Sequence, residues 1–370
     1  MNTKLSNVEA IRGLACIAVI FSHLSLTFFP YLHTRENELT ALDRFIYDLP
    51  LGFLYSGASS VFIFFALSGF ILTHIIIKSE HRVKRTIYLA VKRYPRLMLP
   101  VLASCITSYC VFKLNPDVSM LSPWINKLKN NDPNLLSAIY DGTITAFFIG
   151  GTGKYNAVLW TMKIELIGSF LIFAICFVSA SRTAHAASSL LGLAIIIYTT
   201  NGMEQAAYVL FLLGGITSTF GIKVGKKNSF IMLAAGFYLS GYHTGSAAYA
   251  LIDTIKIENM WIYANAIGAM LVVYPMIHCV EMQKYLEWPS LQRLGELSFP
   301  AYLIHLPSIF LVSPLVFTAC MNATNSAYLV SATISCILTL TFILKVSAKA
   351  FHVAIDKPSL AILKKIENRS

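Results

Sequence analysis

Residues 55–77 have the sequence YSGASSVFIFFALSGFILTHIII, an apolar stretch without Asp, Glu, Lys or Arg. A helix needs about 20 such residues to cross the hydrocarbon core of a bilayer, so this stretch predicts a transmembrane helix. Further apolar runs of comparable length follow along the 370 residues. They predict ten spans in all, near residues 8–29, 55–77, 90–112, 157–179, 184–200, 204–221, 229–247, 260–280, 297–320 and 326–349.

Composition supports the same class of protein. The chain is 56% hydrophobic and only 13% charged, whereas soluble domains carry about 25% charged residues. This excludes an ordinary cytosolic globular enzyme, and ten crossings leave no room for a large soluble domain. We therefore expect an all-α polytopic membrane helix bundle, with a transmembrane domain over residues 1–350 and a short cytoplasmic tail over 351–370.

The distribution of charge predicts the orientation. The net charge is +11. A basic excess indicates binding to nucleic acid, anionic lipid or anionic ligands, or it reflects basic cytoplasmic loops of a membrane protein. Basic residues cluster in 78–96, 222–228 and the tail, whereas 30–54 is acidic. With ten spans the basic segments share one side, so both termini are expected in the cytoplasm. The apolar segment 135–149 is too short to span comfortably, and we interpret it as an interfacial or re-entrant helix.

Ionisable residues within predicted spans are the functional candidates, because burying them in a bilayer is costly. Arg12 and His23 are eleven residues apart, which is three helical turns plus about 20°, so they share one face about 16 Å apart along the axis. Glu165 and His23 lie at similar depths, about 12 and 9 Å below the outer ends of their helices, which allows a His–Glu pair. A purely structural role for either residue stays open.

Three further features join these candidates. Arg93 and Arg96 flank Pro95 where the third span is expected to begin, so free N–H groups of a first helical turn and two arginines predict a phosphate site. Anchoring to lipid headgroups is the alternative. The pair Ser68-Gly69 indicates either close helix packing or a site. His305, about 12 Å into the ninth span, either lines the cavity of His23 or hydrogen-bonds a neighbour. No metal-ligand or cofactor motif is recognisable.

Taken together, the motifs resemble the acyltransferase-3 family of integral membrane acyltransferases. The similarity extends from residue 7 to about 358, with the motifs in the family's order. The similar segments are Arg12-x10-His23, FFALSGF at 64–70, RYPR at 93–96, LWTMKIE at 159–165, LGELSFPAYLIH at 294–305, and Phe351 to Pro358. The chain departs from the family at Glu9, which replaces a common Asp, at Phe62, where many members have Asp, and at Lys163.

The resemblance implies transfer of an acetyl group from cytoplasmic acetyl-CoA to a hydroxyl of a bacterial cell-surface polysaccharide or its lipid-linked precursor, in the inner membrane. His23 would be the catalytic base, because the pKa of imidazole lies near neutrality. The other implied roles are Glu165 as orienter or acceptor ligand, Arg12, Arg93 and Arg96 on the donor phosphates, and Trp160, His305 and Ser68 at the substrate.

We expect the protein to hold no permanently bound cofactor and no metal, and to bind no nucleic acid. Its expected partners are acetyl-CoA, the glycan acceptor and the lipid bilayer. Two alternatives stay open. One keeps the fold and moves a longer acyl or succinyl group. The other is a non-enzymatic transporter or flippase for an anionic substrate, because charged residues within helices also mark transport paths.

Overall fold

The computed structural model describes residues 5–34, 41–150, 153–179, 181–325 and 327–367. It is 82% helical, and these ranges contain no strand. The all-α prediction is confirmed. The helices are α1 (Ser6–Phe28), α2 (Ala41–Tyr47), α3 (Ala58–Ile77), α4 (Arg82–Lys113), α5 (Pro123–Leu128), α6 (Leu135–Tyr140), α7 (Trp160–Val178), α8 (Arg182–Thr199), α9 (Gly202–Phe220), α10 (Lys226–Ser240), α11 (Ala250–Asp253), α12 (Met260–His278), α13 (Val280–Leu286), α14 (Pro289–Ala323), α15 (Tyr328–Phe342), α16 (Ala348–Phe351) and α17 (Lys357–Glu367).

Within the described ranges, seven helical segments are long and apolar enough to cross a membrane, with mean hydropathy between 1.4 and 2.3. They are Ser6–Phe28, Ala58–Ile77, Arg82–Lys113, Ala157–Val178, Met260–His278, Pro289–Ala323 and Tyr328–Leu363. The remaining three predicted spans are also helices, α8 to α10, but these are shorter or less apolar. The chain is thus a multi-pass helical membrane protein, whereas the count of ten crossings and the placement of the termini stay predictions.

The predicted start of the third span is wrong as a helix boundary, and this error bears on the site. Helix α4 begins at Arg82 and not near residue 90, so Arg93 and Pro95 lie well inside it. Residues 82–92 contain neither Gly nor Pro and are rich in good helix formers, so their positive charge ends the apolar run without ending the helix. A phosphate site built on the first turn of a helix at Arg93 is therefore not present.

The segment 135–149 is helical, as α6 continued by the π-helical stretch Asp141–Gly150. It is shorter than the membrane-length helices, as the sequence predicted, and its relation to the bilayer stays a prediction. Residues 35–40 of the acidic loop and 368–370 of the tail lie outside the described residues.

The chain divides into two compact units, each assembled from three stretches of sequence. The first unit comprises Met1–Val19, Arg44–Arg93 and Ile164–Glu296, and the second comprises Ile20–Asp43, Tyr94–Lys163 and Leu297–Ser370. The proposed boundary between a transmembrane domain and a tail at residue 350 stays a prediction.

In the first unit, helices α3 and α9 are in backbone contact at glycines. A Cβ atom added to Gly69 would lie 1.9 Å from the carbonyl oxygen of Phe211, and one added to Gly214 would lie 2.0 Å from that of Ala66. Helices approach this closely only where a side chain is missing. The interpretation of the Ser68-Gly69 pair as close packing is confirmed for the glycine.

In the second unit, a proline in helix α14 creates a polar anchor. Pro307 has no N–H, so the carbonyl of Leu303 loses its helical donor four residues on. That carbonyl accepts instead from Ser104 Oγ and from Asn156 Nδ2, both at 2.8 Å. The side chains of Asn156 and Ser104 are also bonded to each other at 2.7 Å. Helix α4 and the segment of Asn156 are thereby fixed to α14 one half-turn before His305.

Candidate active site

Two histidines of the second unit lie against each other. The Nδ1 atom of His23 on α1 is 2.8 Å from the Nε2 atom of His305 on α14, and the ring centroids are 5.0 Å apart. His305 has no exposed surface, whereas His23 keeps part of its surface accessible. The accessible ring is therefore the one that a substrate would meet, and the buried ring supports it.

The hydrogen bonds of His305 define the proton positions of the pair. Its Nδ1 atom is 2.7 Å from the carbonyl oxygen of Tyr302 and 3.3 Å from that of Ala301. Because a carbonyl oxygen only accepts, Nδ1 of His305 donates, and in a neutral ring its Nε2 is then an acceptor. His23 must donate to it from Nδ1, which leaves Nε2 of His23 with a free lone pair. This is the tautomer that a general base requires.

Trp124 covers one face of the His23 ring. The two rings are stacked, with centroids 5.4 Å apart and an angle of 10° between their planes. Trp124 lies on the short helix α5, whose preceding residue Ser122 donates its N–H to the Thr27 carbonyl at the end of α1. Asn126 closes the same turn with three side-chain bonds to backbone carbonyls, between 3.0 and 3.2 Å. The indole is thus positioned by its own loop, and it restricts rotation of the imidazole.

Glu165 in the first unit lies in a polar cluster between three helices. Its Oε1 atom accepts hydrogen bonds from Arg93 Nη2 and, at 2.7 Å, from Ser68 Oγ. Arg93 also donates from Nε to Ser169 Oγ at 2.7 Å. The side chains of Arg93 and Glu165 are 17% and 14% exposed, so the ion pair is poorly screened by water. Ser68 and Arg93 are both bound to this carboxylate.

The other two candidate arginines also have carboxylate partners. Arg12 Nη1 lies 3.3 Å from Glu9 Oε1 within α1. In the second unit, Arg96 Nη1 lies 2.8 Å from Asp356 Oδ1, and His352 Nδ1 lies 2.9 Å from Oδ2 of the same aspartate. Asp356 is buried, so this bridging carboxylate holds the Arg96 side chain in one orientation.

The hydrogen bonds of His23 and of Glu165 go to other partners, and the predicted pairing of these two residues stays a prediction. His23 bonds to His305, and Glu165 bonds to Arg93 and Ser68. A guanidinium is always charged and makes charge-assisted hydrogen bonds, so it is a stronger partner for a carboxylate than a neutral imidazole. His305 bonds to His23 itself and to the backbone of its own helix, and its predicted role at the substrate stays a prediction.

The predicted residues fall in both units. Arg12, Ser68, Arg93 and Glu165 belong to the first unit. His23, Arg96, Trp160 and His305 belong to the second. Trp160 begins α7 and is half-buried. In the part of the chain that the structure describes, no group of three or more His, Cys, Asp or Glu residues is arranged to hold a metal ion.

Sequence reasoning missed two residues of these clusters. Trp124 lies in a polar loop between predicted spans, where no periodicity or spacing connects it to α1. Asp356 belongs to the segment Phe351 to Pro358 that carried the last motif, and this motif was the signal that could have marked it as a candidate. Neither contact is local in sequence, since 101 residues separate Trp124 from His23.

Comparison with known protein families gives one match. The Acyltransferase domain family, Acyl_transf_3, matches residues 5–346, which is nearly the whole chain. No curated protein and no solved structure matches the chain. The matched range includes His23, His305, Arg12, Arg93 and Glu165. The chain belongs to the acyltransferase-3 family of membrane acyltransferases.

Proposed function

We propose that this protein is an inner-membrane O-acetyltransferase of a bacterium, which moves an acetyl group from acetyl-CoA to a hydroxyl of a cell-surface polysaccharide or of its lipid-linked precursor. Membership of the family supports acyl transfer in a membrane. The observation that carries the proposal is the His23–His305 pair, whose hydrogen bonds leave Nε2 of His23 as a proton acceptor.

In the proposed reaction His23 is the general base. Nε2 accepts the proton of the attacking hydroxyl while its oxygen forms a bond to the thioester carbonyl carbon. The carbon–sulfur bond then breaks, and the thiolate of CoA receives the proton from His23. Products are the acetyl ester and free CoA. During the step His23 carries a positive charge, which the lone pair of His305 Nε2 stabilises through the Nδ1–H of His23.

The donor is proposed to bind through its phosphates to guanidinium groups. Each guanidinium has five N–H donors, and Arg12 and Arg96 each contact their carboxylate through Nη1. The remaining N–H groups are the ones proposed to contact phosphate oxygens. We assign Glu165 a supporting role: it holds Arg93 in place rather than acting on His23. Trp160 remains a proposed contact of the acceptor.

The proposal is tested by mass analysis of surface glycans from cells that lack the gene and carry a plasmid copy. Wild-type protein is expected to restore a mass increment of one acetyl group per modified sugar, and His23→Ala is expected to restore none at equal protein level. His81→Ala is the matched control, because His81 is exposed in a loop. A larger increment would identify a longer acyl or succinyl donor.

Two results would contradict the proposal. If His23→Ala restores the increment, His23 is not the base. If deletion removes whole glycan from the surface and leaves the acylation of the rest unchanged, the protein acts as a transporter or flippase.

A further inference from the structure

A basic cavity lies in the first unit, and none of the residues assigned to the reaction is among those that line it. Its empty space, together with the solvent at its mouth, amounts to ≈ 530 Å³. It is formed where helices α3, α4, α7, α8 and α9 begin or end. Arg82, Arg182 and His185 line it together with serine and threonine side chains, and Ile76, Ile77 and Cys176 form its apolar wall. None of the described residues lining the cavity is Asp or Glu.

Two residues that line this cavity each carry a buried polar atom without a hydrogen-bond partner among the described residues. The atoms are Nε2 of His185 and Oγ of Ser218. His185 is 4% exposed, and its ring packs near Phe220, with centroids 6.4 Å apart. Buried polar groups are nearly always hydrogen-bonded, so these two atoms beside one cavity are available to a ligand.

The positive charge around these atoms indicates an anion. Arg182 donates from Nη2 to the carbonyl of Thr219 at 3.1 Å, which fixes the guanidinium beside the cavity with other N–H groups to spare. Arg82 begins α4 and Arg182 begins α8, and the N-terminal end of each helix adds partial positive charge. Arginine is well suited to phosphate because its planar fork matches two phosphate oxygens.

We propose that this cavity binds the phosphate group of a phosphate ester, with Arg82, Arg182, His185 and Ser218 as its ligands and the isoleucine wall against the apolar part of the ligand. The basic segment 78–96 is expected in the cytoplasm, where anionic lipid headgroups and acyl-CoA are both available. The shared chemistry is the phosphate, and the experiment separates the two sources. The acyl-CoA source rests on the proposed function, but the lipid source does not.

The test measures equilibrium binding to the purified full-length protein in a neutral detergent. The probes are CoA, 3′-dephospho-CoA and phosphatidylglycerol, with phosphatidylcholine as the lipid without net charge. Calorimetry gives the Kd of the nucleotides, and native mass spectrometry gives the retained lipid. The pocket variant is R82Q/R182Q, and the control K84Q/K227Q removes the same charge from exposed positions outside the lining. R82Q alone is a second pocket variant that leaves the bond from Arg182 intact.

Binding of at least one phosphate probe is expected to weaken about tenfold or more in the pocket variants and less than twofold in the control, because a charge-assisted hydrogen bond is lost. A loss confined to phosphatidylglycerol identifies a headgroup, and a loss confined to CoA identifies the donor. Changes below twofold for every probe, in folded variants, would overturn the proposal. Binding needs no turnover, so His23→Ala protein, measured in parallel, is expected to bind the probes as the wild type does. Failure of this site is therefore measured separately from failure of the proposed acyl transfer.

Discussion

Replacement of His305 tests the proposed function of the histidine pair most informatively, because different side chains keep different halves of its hydrogen bonding. A glutamine places its side-chain oxygen near the position of Nε2, where it can accept from Nδ1 of His23. An asparagine reaches only the position of Nδ1, and a leucine makes neither bond. The expected order of activity is therefore wild type, then His305→Gln, then His305→Asn and His305→Leu.

The structure supplies the size of the effect. The bond between His23 Nδ1 and His305 Nε2 is 2.8 Å long and reaches a ring with no exposed surface. In the proposed transition state the donor ring is charged, and a hydrogen bond to a charged group contributes about 1.5–3 kcal/mol. Since each 1.36 kcal/mol is a factor of ten in rate, the Asn and Leu variants are expected to lose about 10- to 150-fold in kcat. His305→Gln should stay within about tenfold of wild type.

The assay is steady-state release of free CoA from acetyl-CoA by the purified protein with its acceptor. The KM for acetyl-CoA is expected to stay near the wild-type value, because His305 does not contact the donor in the proposed mechanism. A merely structural role would lower the thermal midpoint and the activity of all three variants together. Equal kcat values for Gln and Leu variants of equal stability would refute the reasoning.

Three further predictions concern the framework of the site. Gly69→Ala places a Cβ 1.9 Å from a backbone oxygen and should cost more than about 2 kcal/mol in unfolding free energy. Gly225 has no atom within 4 Å of such a Cβ, so Gly225→Ala should cost only about 1 kcal/mol, because alanine is a poorer N-cap; equal melting shifts in detergent would contradict this. Glu165→Gln should destabilise by about 3 kcal/mol, because a poorly exposed arginine loses its carboxylate, and an unchanged thermal midpoint would argue against it. Asn156→Ala should cost about 1–2 kcal/mol, because the Leu303 carbonyl, which Pro307 leaves without a helical donor, loses its bond to the Asn156 side chain. In a double-mutant cycle, Pro307→Ala should reduce that loss; strictly additive effects would show that Asn156 and Pro307 are not coupled.

The helices could be predicted because a transmembrane helix needs only a long apolar run, which is visible in a window of about 20 residues. The start of α4 was predicted wrongly because an apolar run marks the part of a helix within the membrane and not the end of the helix. A helix continues through basic residues such as Arg82 and Lys92 when they are good helix formers, so the membrane boundary and the helix boundary differ.

The candidate site was only partly predictable. His23, His305 and Glu165 could be identified singly because an ionisable residue in an apolar run is costly. Their partners depend on which helices are adjacent and on how each is rotated, and one sequence does not contain that information. The depths of His23 and Glu165 along their helices agree, but the carboxylate of Glu165 is bound to Arg93. His23 is bound to His305, which lies 282 residues further along the chain.

The central claim is that His23 is the base of an acyl transfer, and its most direct test is free CoA release by the purified protein. With acetyl-CoA and the glycan acceptor, wild type and His81→Ala are expected to release CoA at equal rates, whereas His23→Ala should fall to the rate measured without protein. Release by correctly folded His23→Ala protein at the wild-type rate would contradict the account.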